Sequence, residues 1–411
     1  VKYIMNITDV GHLTGDNLGD ADLGEDRMEK AARKERKTAW DVAKFYTEAF
    51  LTDFEKLNLT KPEKFVKATD HIQEQIILIK RLEERGLTYK TSDGIYFDTL
   101  EYEKKTGNKY GELSTLDKIK EGARVEINIE KKNPRDFALW KFSPSTSSGQ
   151  VRREMEWESI WGRGFPGWHV ECSAMSIKYL GSAFDIHVGG EDLRSTHHPN
   201  EIAQSEGATG KKFVNYWIHG AFLRVDGGRM GKSLGNTYRI YDLEVKGFSA
   251  LDLRYFYLSG KYNEPLNFTW ESLEASKTAL EKLRSLMKSF KNEKERTTLS
   301  QEKNNNIEEY RNRFWESVNE DLNTPQALAV LWEMLKSSIP SSDKYDLALS
   351  FDEVLGFELN KSPKEVKIPE EIKKLIQKRN RLRKEGKFEE ADRIRKGIGE
   401  KGFNLGDEKI S

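Results

Sequence analysis

The chain has 411 residues, with 68 Lys plus Arg balanced by 68 Asp plus Glu and a single cysteine. At about 150 residues per domain, that length predicts two or three domains, each able to bury a core. Zero net charge excludes a global field that draws in nucleic acid, one cysteine excludes an internal disulfide framework and fits a reducing cytoplasm, and no apolar run nears the ~18 residues of a membrane span.

Residues 1–7, Val-Lys-Tyr-Ile-Met-Asn-Ile, read as a buried strand already under way, which predicts that the chain lacks its natural beginning. The strand ends at Thr8 and Asp9, and the Gly-rich acidic stretch 11–25 reads as a loop. Over 26–57 the spacing of Ala31, Ala32, Trp40, Val42, Ala43, Phe45, Tyr46, Phe50 and Phe54 predicts a core-facing helix, and 71–85 repeats the pattern. Between 87 and 140 the short alternating pieces 94–98 and 123–129 predict a small inserted β-containing subdomain. Residues 143–150 carry no apolar side chain and read as a surface loop.

Residues 183–188, Ala-Phe-Asp-Ile-His-Val, form an apolar run that ends in Gly189, Gly190, Glu191 and Asp192. This predicts a strand that delivers a tight turn and a carboxylate to the carboxyl edge of a sheet, where open α/β sheets bind ligands. Residues 213–218 and 221–225 read as further strands, followed by the Gly-rich basic loop 226–236. Such a loop lets backbone N–H groups and a lysine approach phosphate oxygens, although its composition also suits a plain hairpin. Beyond 252 helical periodicity predominates, at 270–290, 305–319, 325–338 and 370–384. Arg379, Arg381, Arg383, Lys384, Lys387, Arg393, Arg395 and Lys396 either track a phosphate backbone or pair with Glu385, Glu389, Glu390 and Asp392.

Cys172, His197 and Glu201 supply a thiolate, an imidazole and a carboxylate, the ligand types zinc accepts, and three protein ligands with an open position mark a working rather than a structural site. The spacing alone is not diagnostic, because a lone cysteine is commonly a small buried hydrophobe. Pro199 suits the first turn of a helix, placing His197 just before it and Glu201 inside it, where both can face one ion.

Several segments together resemble cysteinyl-tRNA synthetase of the class I aminoacyl-tRNA synthetases. They are Asn-Ile-Thr-Asp-Val at 6–10, Gly-Phe-Pro-Gly-Trp-His-Val-Glu-Cys-Ser-Ala-Met-Ser at 164–176, His-His-Pro-Asn-Glu-Ile-Ala-Gln-Ser at 197–205 and Arg-Met-Gly-Lys-Ser-Leu-Gly-Asn at 229–236. Residues 133–141 and 321–328 extend the likeness over nearly the whole chain. The resemblance implies a Rossmann-like α/β nucleotide-binding domain with an inserted subdomain, followed by an all-α carboxyl-terminal bundle. The corresponding boundaries are 1–86 and 163–250 for the catalytic domain, 87–162 for the insert, 251–300 for a stem-contact linker and 301–411 for an anticodon-binding domain.

The same resemblance implies a cysteine–tRNA ligase that forms cysteinyl-adenylate from L-cysteine and ATP with Mg2+, then esterifies the 3′ end of cysteine tRNA, acting as a cytoplasmic monomer without membrane contact. One zinc ion per chain holds the substrate thiolate through Cys172, His197 and Glu201. Trp168, His169, Asp192 and Thr8 line the cysteine pocket, with Asp192 accepting the ammonium. Gly189, Gly190, Arg229, Met230, Gly231, Lys232 and Ser233 bind ATP, and Lys232 is catalytic. The family's usual loop reads Lys-Met-Ser-Lys-Ser, so Arg229 and Gly231 are departures. Its fourth zinc ligand, a cysteine near the amino terminus, and its His-Ile-Gly-His segment do not occur in these 411 residues. That implies poor adenylation and weak zinc retention for the chain alone. Two rival readings are a ligase that passes cysteine to an amino sugar and a non-catalytic remnant that binds tRNA or zinc.

Overall fold

A computed structural model describes residues 1–13, 26–113, 129–143, 153–231, 234–292, 301–361 and 370–400. Most of the loops expected at 11–25 and 143–150, the strand expected over 123–129 except Ile129, and both Lys232 and Ser233 lie outside the described residues. The chain divides into two units, Val1–Leu51 with Thr60–Gly220, and Thr52–Leu59 with Ala221–Ser411.

In the first unit, β1 (Ile4–Ile7) pairs in parallel with β2 (Lys64–Lys67). β1 is shorter and more exposed than the buried strand its composition predicts: Asn6 and Thr8 face solvent, since β2 is its one ladder neighbour among the described residues. The single helix expected over 26–57 is two, α1 (Arg27–Glu35) and α2 (Ala39–Lys56). Arg36 stops the first in a left-handed conformation at φ 55°, and Thr38 Oγ1 starts the second by accepting the Asp41 N–H at 3.0 Å. Ala32, Val42, Ala43 and Phe54 are buried, but Trp40, Tyr46 and Phe50 are 45, 44 and 41% exposed. Trp40 meets Trp157, and Phe50 meets Phe65, edge-on with ring centroids 6.2 Å apart.

α3 (Ile72–Glu84) buries Ile72, Ile76, Leu78, Ile79 and Leu82, as its periodicity predicts. The antiparallel sheet β3-β4-β5-β6 follows, from β3 (Thr88–Lys90), β4 (Gly94–Phe97), β5 (Phe137–Phe142) and β6 (Gly164–Pro166), with α4 (Thr99–Thr106) after β4. Phe97, Phe137, Leu139 and Trp140 form one core with α3 and with Val170 and Ala174 of α5 (Trp168–Leu180). β7 (Phe184–Gly190) connects through α6 (His197–Thr209) to the parallel β8 (Val214–Gly220), which sets Gly189 opposite His219. The run at 183–188 is a strand, yet Ile186 and Val188 are 53 and 65% exposed.

Gly167 joins β6 to α5, and a Cβ there would lie 2.0 Å from the Ala138 carbonyl oxygen, a backbone atom that cannot rotate aside. Gly167→Ala is expected to lower stability by about 1–3 kcal/mol through this overpacking. Urea unfolding measures it, and an unchanged midpoint would show that β5 yields freely.

In the second unit, β9 (Leu223–Val225) and β10 (Gly228–Arg229) form a hairpin. Asp226 and Gly227, at φ 50° and 75°, make the two-residue turn whose twist suits paired strands. After α7 (Ile240–Val245) and α8 (Ala250–Leu258), β11 (Leu266–Phe268) returns to pair in parallel with β9, interrupting the helical region expected beyond 252. α9 (Trp270–Asn292), α10 (Gln301–Asn319), α11 (Thr324–Lys336) and α12 (Ser341–Leu355) follow; with α8 they enclose a core around Leu283, Phe314, Leu331, Met334 and Phe351. α13 (Glu370–Lys384) and α14 (Phe388–Glu400) place Ile372, Ile376 and Ile398 against Tyr241 and Val245 of α7. Glu385 lies 3.7 Å from Arg381 and 2.9 Å from Lys387, so these two cations have local partners.

Candidate functional site

Two helix starts build the site in the first unit. Gly167, with an extended φ of −67° and ψ of 152°, lets α5 begin at once with Trp168, so His169 and Cys172 fall three apart on one face. α6 begins at His197 itself rather than after it, which makes His197 and Glu201 an i,i+4 pair inside the helix. The helices pack together, and Gln204 Nε2 ties them by donating to Ser173 Oγ at 2.7 Å and to the His169 carbonyl.

Ligand atoms of Cys172, His197 and Glu201 lie within 4.8 Å of one another, on residues that are 8, 3 and 0% exposed. Glu201 Oε1 stands 3.0 Å from His197 Nε2, yet neither carboxylate oxygen receives an aligned hydrogen bond. A buried carboxylate in that state carries a charge that only a cation satisfies well. Burial works against ionisation of Glu201, but the His187 and His197 rings outweigh it and hold its pKa below the usual value. Burial, reinforced by Glu201 and Glu171, pushes the Cys172 thiol well up, so it stays protonated until a metal displaces the proton. His197 Nδ1 lies 2.8 Å from His169 Nδ1. With the proton on His197 Nδ1, the Nε2 lone pair faces Glu201, and burial keeps His169 neutral. These residues fit a zinc ion.

The other expected pocket residues spread outward from this triad. Trp168 is partly buried, and its ring centroid lies 4.4 Å from that of His197. Asn6 Nδ2 reaches Cys172 Sγ at 3.6 Å and Thr8 Oγ1 at 3.2 Å, which brings Thr8 to the triad's edge. Asp9 instead anchors the chain, accepting the Thr69 N–H at 3.0 Å and its hydroxyl at 2.7 Å. Asp192 is exposed in the turn after β7. A Cβ at Gly189 would sit 2.6 Å from Cε1 of the buried His198 ring, whereas one at Gly190 would meet only the exposed Asp192 carboxylate, at 2.2 Å.

In the second unit, Asn236 clasps the basic loop: its Oδ1 accepts the Gly231 N–H at 2.8 Å and its Nδ2 donates to the Arg229 carbonyl at 2.9 Å. Arg229 is exposed and Met230 packs beside Val225 and Phe268.

Residues 1–278 match the family model for the tRNA synthetases class I (C) catalytic domain, and residues 313–338 match the DALR domain. The protein from Burkholderia lata named Cysteine–tRNA ligase 1 is 45% identical over 99% of this chain and 82% of its own length. The chain belongs to the cysteine–tRNA ligase family. A second relative, Cysteine–tRNA ligase of Treponema denticola, is 42% identical over 97% of this chain and 85% of its own length. The ligase is therefore an enzyme of the aminoacyl-tRNA synthetase class. Mycobacterium tuberculosis methionyl-tRNA synthetase bound by methionyl-adenylate superposes with a TM-score of 0.53 at 14% identity, covering 88% of this chain and 86% of that one. That likeness establishes the fold alone, a class I synthetase α/β domain with a helical carboxyl-terminal region.

Sequence reasoning missed several buried groups of the ligase. His12 Nε2 lies 3.1 Å from Glu171 Oε1, on a wholly buried carboxylate. His198 Nδ1 lies 2.8 Å from His219 Nε2, and the His187 and Trp217 ring centroids are 4.8 Å apart. Their signal was the high density of His and Trp between 157 and 219; which rings meet depends on the β7–β8 register.

Proposed function

We propose that the chain activates L-cysteine with ATP and Mg2+ and transfers it to the 3′ end of cysteine tRNA, as a cytoplasmic monomer. The buried Cys172, His197 and Glu201 triad carries this reading, because its donor set suits an ion that discriminates sulfur from oxygen. When bound, one zinc ion supplies a soft Lewis acid that favours the substrate's thiolate over the hydroxyl of serine, which removes the need for an editing site.

The chain's own residues do the rest by position and charge. Cys172, His197 and Glu201 hold the ion, with His169 orienting His197. Trp168 and His169 wall the side-chain pocket, Thr8 borders it, and Asp192 accepts the substrate ammonium. Gly189 and Gly190 leave the backbone bare for the nucleotide. Arg229, Met230, Gly231, Lys232 and Ser233 form the phosphate loop, in which Lys232 neutralises charge as it develops on the phosphates and pyrophosphate leaves. The cysteine carboxylate attacks the α-phosphorus directly, so no protein nucleophile is needed. The terminal ribose hydroxyl of tRNA then displaces AMP.

The proposed division of labour is a catalytic domain at 1–86 and 163–250, an insert at 87–162, a linker at 251–300 and a tRNA-binding bundle at 301–411. The DALR match at 313–338 supports the last of these and does not favour the amino-sugar or remnant readings. Among the described residues no helix is long and apolar enough to cross a membrane. ATP–pyrophosphate exchange on this chain tests the proposal. Exchange that requires L-cysteine and ignores L-serine is expected, at a low rate because these residues hold neither the family's fourth zinc ligand nor its His-Ile-Gly-His segment; exchange that does not depend on the amino acid would sink it.

A further inference from the structure

We propose that His187, His198 and Glu201 form a second position for a zinc-class divalent cation, one that needs no thiolate and shares Glu201 with the Cys172 triad.

The ligand atoms of these three side chains lie within 4.8 Å of one another. Glu201 Oε1 stands 3.5 Å from His187 Nε2. Two donors bound at about 2.1 Å to a tetrahedral ion stand about 3.4 Å apart, so this pair is already at ligand spacing. His198 is 0% exposed; its Nδ1 is held 2.8 Å from His219 Nε2, and its Nε2 has no hydrogen-bond partner. A ring fixed through one nitrogen with the other left bare is the usual state of a ligating imidazole. Gly189 belongs to the same device, because a Cβ would lie 2.6 Å from His198 Cε1 and force the ring away. The Trp217 ring, 4.8 Å from His187 and 4.7 Å from His198 between centroids, walls the position with apolar surface and strengthens electrostatic attraction there.

Two imidazoles and one carboxylate suit zinc, cobalt or nickel rather than magnesium or calcium, which prefer oxygen alone. Two ions so close would bring four positive charges to one thiolate and one carboxylate. The site therefore holds one ion, in the thiolate triad while Cys172 is available and in the second position when it is not. A pocket whose sole thiol is blocked or oxidised thus keeps its metal.

Cobalt(II), added to the metal-free chain, is the probe, with equilibrium dialysis reading stoichiometry and absorption reading sulfur ligation. The unsubstituted chain is expected to bind one cobalt with a thiolate charge-transfer band. Cys172→Ser is expected to retain one cobalt without that band, and Cys172→Ser with His198→Ala to bind at least about 100-fold more weakly. His187→Ala with His198→Ala, leaving Cys172 intact, is expected to keep the band, which controls for folding. Cys172→Ser that binds no cobalt, with circular dichroism like the parent chain, overturns the second position; so does binding that His198→Ala leaves unchanged. Absence of the thiolate band in the parent chain, with cobalt still bound through His198, would instead overturn the thiolate triad and uphold the second position.

Discussion

Glu201→Gln is expected to weaken zinc binding by at least about 100-fold, and to lower stability by more in zinc than in chelator. The two effects share one cause. Glu201 is 0% exposed, and in the metal-free chain its charge is held by the His187 and His197 rings, 3.5 and 3.0 Å away. Glutamine keeps the shape and removes the charge, which forfeits that attraction at a cost of roughly 1–3 kcal/mol. With zinc at about 100 times its dissociation constant, the parent chain gains about 2.7 kcal/mol more by binding and the variant forgoes it. The gap between parent and variant therefore widens from chelator to zinc. Urea unfolding in the two buffers measures both. A gap of the same size in both buffers would mean that Glu201 serves packing and hydrogen bonding rather than metal.

The second large effect lies in the helical unit. Phe351→Ala is expected to cost about 3–5 kcal/mol. Phe314 and Phe351 are both 0% exposed, with ring centroids 3.8 Å apart and planes 5° from parallel, and they pack among Leu331, Met334 and Leu347. Removing one ring leaves a cavity that α10 and α12 cannot close without moving. This core shares no residue with the clusters of the first unit, so cobalt binding by the Cys172 triad should survive the substitution. Thermal melting followed by far-ultraviolet dichroism checks the first statement and dialysis against cobalt the second. A loss below about 1 kcal/mol would mean that the site repacks freely.

The legibility of this chain follows from the range of the forces involved. Helices at 72–84 and 270–292 announce themselves because their apolar residues recur within one segment. β11 does not, because Leu266–Phe268 is a strand only through its pairing with β9, some forty residues away. The ligand types and the helical spacing of His197 and Glu201 are local, and the likeness of residues 164–205 to a known family joined them to Cys172. The meeting of His198 with His219, and of His187 with Glu201, is fixed by strand register and helix packing, neither of which sequence spacing encodes. Periodicity also misplaced Trp40, Tyr46 and Phe50, whose spacing is that of a core face but which are 45, 44 and 41% exposed. Arg36 broke the long helix at a position where no glycine or proline gave warning.

The central claim is that a metal held by Cys172, His197 and Glu201 selects the substrate by its sulfur. Calorimetric titration of the zinc-loaded chain with L-cysteine and with L-serine tests it most directly. Cysteine is expected to bind and serine to bind at least about 100-fold more weakly, with the preference lost after chelation. Equal binding of the two amino acids, or a preference for cysteine that survives removal of zinc, would contradict it.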